Sequence, residues 1–187
     1  MGTPSSALLF RSLTDKADNG GKTLSGASTG GEGSWFWGNG GDGTSGNTGS
    51  TNGGSIDNNG NVIYGSAISN QAGSGGTSQS GTATGGNAKR QLFGLFDPFA
   101  SSGGSATTGS TGDSNGGDVT NGGNAIVSSI VANKAGNGGK TLSGAATGGE
   151  GSWFWGNGGD GTSGSTGNTD GGSIDNEGNI IYGSAVS

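Results

Sequence analysis

The chain has 187 residues, a net charge of −6, and neither cysteine nor histidine. These values exclude a disulfide framework and thiolate or imidazole metal sites, and seven basic residues cannot form the basic stripe that a nucleic-acid binder needs. Glycine supplies 49 residues, while Leu, Ile, Val and Phe together make up roughly a seventh, too little for a conventional core. Each glycine also adds backbone entropy that folding must overcome. Net charge is too low for a solvated polyelectrolyte, so stacking of repeated units is the expected route to a fold.

In chain order, an apolar lead-in (1–15) precedes a repeat at Lys16–Ser69. A Gly/Ser/Thr-rich linker follows (70–133), with an apolar patch at 91–99, and the repeat returns at Lys134–Ser187. The copies differ at eight positions: Asp18/Gly136, Ser28/Ala146, Asn47/Ser165, Ser50/Asn168, Asn52/Asp170, Asn59/Glu177, Val62/Ile180 and Ile68/Val186. Ala7–Phe10 is too short for the apolar region of a cleavable leader, and no apolar run is long enough to span a membrane.

Inside each copy, Gly-Gly pairs recur at Gly20–Gly21, Gly30–Gly31, Gly40–Gly41 and Gly53–Gly54. Each segment reads as a short strand closed by a turn, because Gly-Gly and Asn-Gly tolerate positive φ. Strands at this spacing predict a mainly β fold of stacked meander, solenoid or cross-β type, with long irregular Gly/Ser/Thr segments. The end of the copy predicts a hairpin, with Asn59–Gly60 as a type I′ turn between Ser55–Asn58 and Asn61–Ala67. Val62 and Tyr64 share one face and Ile63 the other, which implies a strand covered on both sides. The apolar run Ala125–Val131 before the second copy fits a short helix or a strand; periodicity does not separate the two at this length.

All four tryptophans lie in two triplets, Trp35-Phe36-Trp37 and Trp153-Phe154-Trp155. The plainer reading is that they supply apolar area to a core-poor chain. The functional reading is a platform on which sugar rings stack. Tyr64 and Tyr182 join them as residues expected at an assembly or ligand surface. Glu32 and Asp42, matched by Glu150 and Asp160, flank the triplets. A glycosidase pair needs a rigid scaffold to set the carboxylate separation, so solvating charges are the simpler account. Gly38–Gly46 partly matches a calcium-binding nonapeptide, which makes Asp42 and Asp160 weak calcium candidates. Lys89-Arg90 reads either as a dibasic processing site or as two ordinary surface charges. Without histidine no nucleophile–base pair can be assembled, so neither enzymatic activity nor a cofactor is expected.

Gly/Asn/Ser-rich imperfect repeats, a repeat–linker–repeat plan and the absence of cysteine resemble secreted functional-amyloid and cell-surface coat proteins. Curli-type fibre subunits and the kexin-processed repellent proteins of fungi are the comparisons; the likeness lies in composition and layout and transfers no residue role. It implies an extracellular structural protein whose partner is itself, assembling through its two repeats into β-rich fibres or a coat. The alternative is a carbohydrate-binding module with one WFW platform per repeat, whose partner is a polysaccharide or cell wall.

Overall fold

The computed structural model describes residues 11–33, 38–89, 101–152 and 156–187. Among these the chain is mainly β, without a helix, and winds into three stacked rungs of six short strands each. Glycine at this density removes helix stability at about 1 kcal/mol per residue. Parallel stacking instead pairs the backbone of each strand with a strand one rung away. Rung 1 carries β1 (Arg11–Lys16), β2 (Lys22–Leu24), β3 (Ser28–Thr29), β4 (Gly43–Thr44), β5 (Ile56–Asp57) and β6 (Val62–Tyr64). Rung 2 carries β7 (Ser66–Gln71), β8 (Thr77–Gln79), β9 (Ala83–Thr84), β10 (Ala106–Thr107), β11 (Val119–Thr120) and β12 (Ala125–Val127). Rung 3 carries β13 (Ile130–Lys134), β14 (Lys140–Leu142), β15 (Ala146–Thr147), β16 (Gly161–Thr162), β17 (Ile174–Asp175) and β18 (Ile180–Tyr182), and β19 (Ala185–Val186) begins a further layer.

All strand pairs are parallel and in register, as Lys22, Thr77 and Lys140 illustrate. The two sequence copies are therefore rungs 1 and 3. Residues between them supply β8 to β12, the central strand of every three-stranded sheet. Equivalent positions are 55 residues apart between the first two rungs and 63 between the next two. The order of the steps reverses from Gly43 to Ala106 to Gly161. The middle rung thus takes up its extra length between Thr84 and Ala106.

Each rung has a wide head and two arms. In the head, the sheets β1-β7-β13-β19, β17-β11-β5 and β18-β12-β6 enclose Ile56, Val119, Ile126 and Val131, all buried. The arms run out through β2 and β3 and back through β4, and there the interior is almost entirely backbone. One zigzag of hydrogen bonds climbs between them: Gly41 N–H to Gly31 C=O (2.6 Å), Gly86 to Gly41 (2.9 Å), Gly104 to Gly86 (2.9 Å), Gly149 to Gly104 (2.9 Å) and Gly159 to Gly149 (2.8 Å). A second runs from Asp18 C=O through Gly54, Gly73, Gly117 and Gly136 to Gly172, with bonds of 2.8–2.9 Å. A Cβ on Gly86 would overlap the carbonyl of Gly31, and one on Gly136 the carbonyl of Gly73. This explains the one drastic difference between the copies: Asp18 stands where no described rung lies beneath it, whereas its counterpart Gly136 rests on Gly73.

Three expectations are corrected. The Gly-Gly pairs are not turns: among the described residues the glycines with positive φ are Gly60, Gly65, Gly123, Gly178 and Gly183, at two corners of the head. Glycine serves the pairs through its other property, permitting backbones to touch. The hairpin does not form either. β5 and β6 lie in different sheets and pair with β11 and β12, so Asn59–Gly60 is a corner between rung faces. Nor is β6 covered on both sides: Val62 and Tyr64 are exposed while Ile126, in register with Ile63, is buried.

Replacing Gly86 with Ala should destabilise the fold by at least the ~1–3 kcal/mol typical of overpacking. Gly21→Ala, whose added Cβ would meet nothing within 4 Å, should be neutral or stabilise by up to ~1 kcal/mol. Denaturant midpoints of the two variants check the contrast.

Candidate assembly surfaces

Stacking turns every position into a column of three residues, and the columns define the surfaces. Along the returning arm, a side-chain oxygen of one rung accepts the backbone N–H of the same column in the next. Asn39, Asp42, Asn47, Ser50, Asn52 and Ser55 accept from Ser102, Ser105, Ser110, Asp113, Asn115 and Asp118 at 2.7–3.1 Å. Ser110, Asp113, Asn115 and Asp118 in turn accept from Ser165, Asn168, Asp170 and Ser173. These short polar residues act as capping groups on an extended backbone, much as they do at helix starts and Asx-turns.

Charge alternates through the columns. Lys16–Gln71–Lys134 and Lys22–Thr77–Lys140 carry their lysines in rungs 1 and 3. Asp57–Thr120–Asp175, Asp42–Ser105–Asp160 and Glu32–Asn87–Glu150 do the same with carboxylates. Charges in adjacent rungs would face one another at ~4.8 Å, where like charges destabilise the pair.

The head interior holds a polar ladder. Asn70 Nδ2 donates to Asn133 Oδ1 (2.9 Å), Asn121 Nδ2 to Asn133 Oδ1 (2.7 Å), and Asn133 Nδ2 to Asn176 Oδ1 (3.0 Å). The ladder has a direction, with amides donating toward rung 3. Its far acceptor, Asn70 Oδ1, is buried without a partner, and Asp15 stands below it in the same column. A cavity of ≈680 Å³ opens at this end of the head, lined among others by Leu13, Asn58, Asn61, Tyr64, Asn70 and Asn121. The sequence reading did not identify the ladder; the signal was the recurrence of Asn58, Asn121 and Asn176 at rung spacing.

The residues singled out in the sequence are dispersed. Tyr64 and Tyr182 flank Val127 in one outward column beside Val62, Ala125 and Ile180, a stripe in which Val62, Tyr64, Ile180 and Tyr182 are exposed. Trp35, Phe36, Trp37, Trp153, Phe154 and Trp155 lie outside the described residues, as does Arg90. Their flanks sit at the tip of the arms, away from the tyrosines in the head: Gly33 donates to Asn87 C=O (2.8 Å) and Gly156 to Ser152 C=O (3.1 Å). Lys89 forms an ion pair with Glu32. The Asp42 carboxylate accepts the Ser105 N–H at 2.7 Å, and Asp160 lies two rungs away, ~9.6 Å along the stack, too far to share one ion with it. Among the described residues no group of three acidic side chains could hold a metal, and no helix is long and apolar enough to cross a membrane.

No family model matches the chain, and no curated protein matches it. Among solved structures, one similar chain is the nine polyproline type II helical bundle springtail antifreeze protein from Granisotoma rainieri. It is 17% identical and covers 74% of this chain and 94% of its own, with a TM-score of 0.17; so low a score carries no argument about fold or function.

Asn121→Leu should cost several kcal/mol, because each buried partner left unsatisfied in the ladder costs about 1–3 kcal/mol. Asn47→Ala, which removes one exposed cap, should cost ~1 kcal/mol or less. Urea unfolding of both variants measures the difference.

Proposed function

We propose that this chain is a non-enzymatic structural protein that assembles with itself into β-rich fibres or a coat outside the cell. One observation carries the reading: rungs 1 and 3 are near-copies, and they bind opposite faces of the same middle rung. A rung of this sequence is therefore competent to stack from above and from below. Cohesion comes from backbone hydrogen bonds and short caps rather than from shaped side-chain pockets, so the chemistry of stacking is common to every rung. Edge strands with such properties recruit further strands. The Tyr64–Val127–Tyr182 stripe offers a second, lateral contact between stacks.

Concentrated protein should form filaments visible by electron microscopy, with a ~4.7 Å meridional reflection. A stable monomer at every concentration and salt would contradict the proposal. If that monomer's tryptophan emission were quenched by oligosaccharide, the carbohydrate-binding reading would replace it.

A further inference from the structure

We propose that assembly is polar, end to end and gated by charge: rung 3 of one molecule receives rung 1 of the next, in the register that joins rung 1 to rung 2. The inference rests on the self-assembly reading above and gives it a partner surface and a switch.

Three observations set the direction. First, rung 3 retains the upward-facing caps of rung 1. Asn39, Asp42 and Ser55 recur as Asn157, Asp160 and Ser173, and three of the eight differences between the copies fall in the same set of columns. Each of those three, Asn47/Ser165, Ser50/Asn168 and Asn52/Asp170, exchanges one short acceptor for another. The identities changed and the acceptor remained, which is what a rung that receives a further rung requires.

Second, the asparagine ladder has unlike ends. Its amides donate from Asn70 and Asn121 of rung 2 to Asn133 and Asn176 of rung 3. At the other end stand Asp15, below Asn70, and Asn58, below Asn121; Asp15 in its ionised form only accepts. In this register Asn133 meets Asp15 and Asn176 meets Asn58, so the columns Asp15–Asn70–Asn133 and Asn58–Asn121–Asn176 run on unbroken from one molecule into the next, which an end-to-end reversal does not allow.

Third, the inward apolar columns are cut open at opposite ends. Ile174 and Ile181 are 42% and 48% exposed in rung 3 while Val119 and Ile126, in register below them, are fully buried. Leu13 is 59% exposed at the start of a column in which Val131 is buried. Ala185–Ser187 occupy the level that Ser12–Thr14 of the incoming molecule would take, so one of these short segments is displaced at the junction.

The same register supplies the gate. Within one molecule rung 2 separates the like charges of rungs 1 and 3. At the junction that separation is lost, and Lys134 faces Lys16, Lys140 faces Lys22, Glu150 faces Glu32, Asp160 faces Asp42, and Asp175 faces Asp57. Five like-charge columns at ~4.8 Å oppose docking in dilute salt, and added salt, which shortens the screening length to ~3 Å at 1 M, relieves all five.

The test transfers the neutral residues of rung 2 to rung 3: Lys140→Thr, Glu150→Asn, Asp160→Ser and Asp175→Thr. These positions are exposed and rung 2 already carries the new residues, so the fold should be retained, as far-UV circular dichroism would report. Wild-type protein should elongate in 0.5 M salt and at least tenfold more slowly in 10 mM salt, by light scattering. The neutralised variant should elongate at both. Polarity is read separately with single cysteines in this cysteine-free chain. Asn168→Cys mixed with Ser50→Cys should give an oxidised cross-linked dimer, and Ser50→Cys alone should not. Wild-type and variant both monomeric in all salts would overturn self-assembly itself. Filaments that form without the 168–50 cross-link, or with no difference between variant and wild type, would overturn the polar, gated junction and leave self-assembly standing.

Discussion

Backbone-to-backbone contact between the two arms is the constraint on which the rest of the structure depends. Where Gly86 sits against Gly31 and reaches Gly41, no side chain fits, and the interior is held by amides and carbonyls. A chain so poor in Leu, Ile, Val and Phe would ordinarily fail to offset its conformational entropy. Here the deficit is met by hydrogen bonds that are well shielded and by zigzags that bond each arm to the other at every half rung. Among the described residues, burial of apolar side chains larger than alanine is confined to the head, where Val119, Ile126 and Val131 pack beside the asparagine ladder.

That arrangement dictates what may occupy each column. Interior arm positions are restricted to Gly, Ala, Ser and Thr, and buried hydroxyls bond across the gap, as Thr48 does with Ser78 (2.5 Å) and Ser114 with the Gly76 carbonyl (2.6 Å). Outward positions hold short acceptors that bond the next rung. Among the described residues, charges are placed so that no column carries like charge in neighbouring rungs. Each rule follows from a rung spacing of ~4.8 Å, and together they make one rung surface compatible with another.

Much of the architecture was legible and some of its logic was not. The duplicated text and the turn-rich spacing pointed to stacked short strands, because a period preserved in aromatic and Gly-Gly positions requires one unit used more than once. The middle rung was hidden, since Thr77 replaces the exposed Lys22, and Ala106 and Val119 share with Gly43 and Ile56 only small size or inward orientation. Gly-Gly pairs read as turns because positive φ and close approach leave the same signature in a single sequence. Asn59–Gly60 looked like a hairpin because local turn chemistry does not reveal that Ile56 and Val62 bond to strands 63 residues away. The buried role of Asn121 was invisible until its column was known.

The direct measurement of the central claim is amide hydrogen exchange of the monomer under native conditions. If the arms are zipped by glycine backbone, the N–H groups of Gly86, Gly104 and Gly117, inside the middle rung, should open only with global unfolding and rank among the slowest in the chain. Exchange of these three at the rate of unprotected amides, while Val119 and Ile126 remained protected, would show a folded head without zipped arms and would contradict the account.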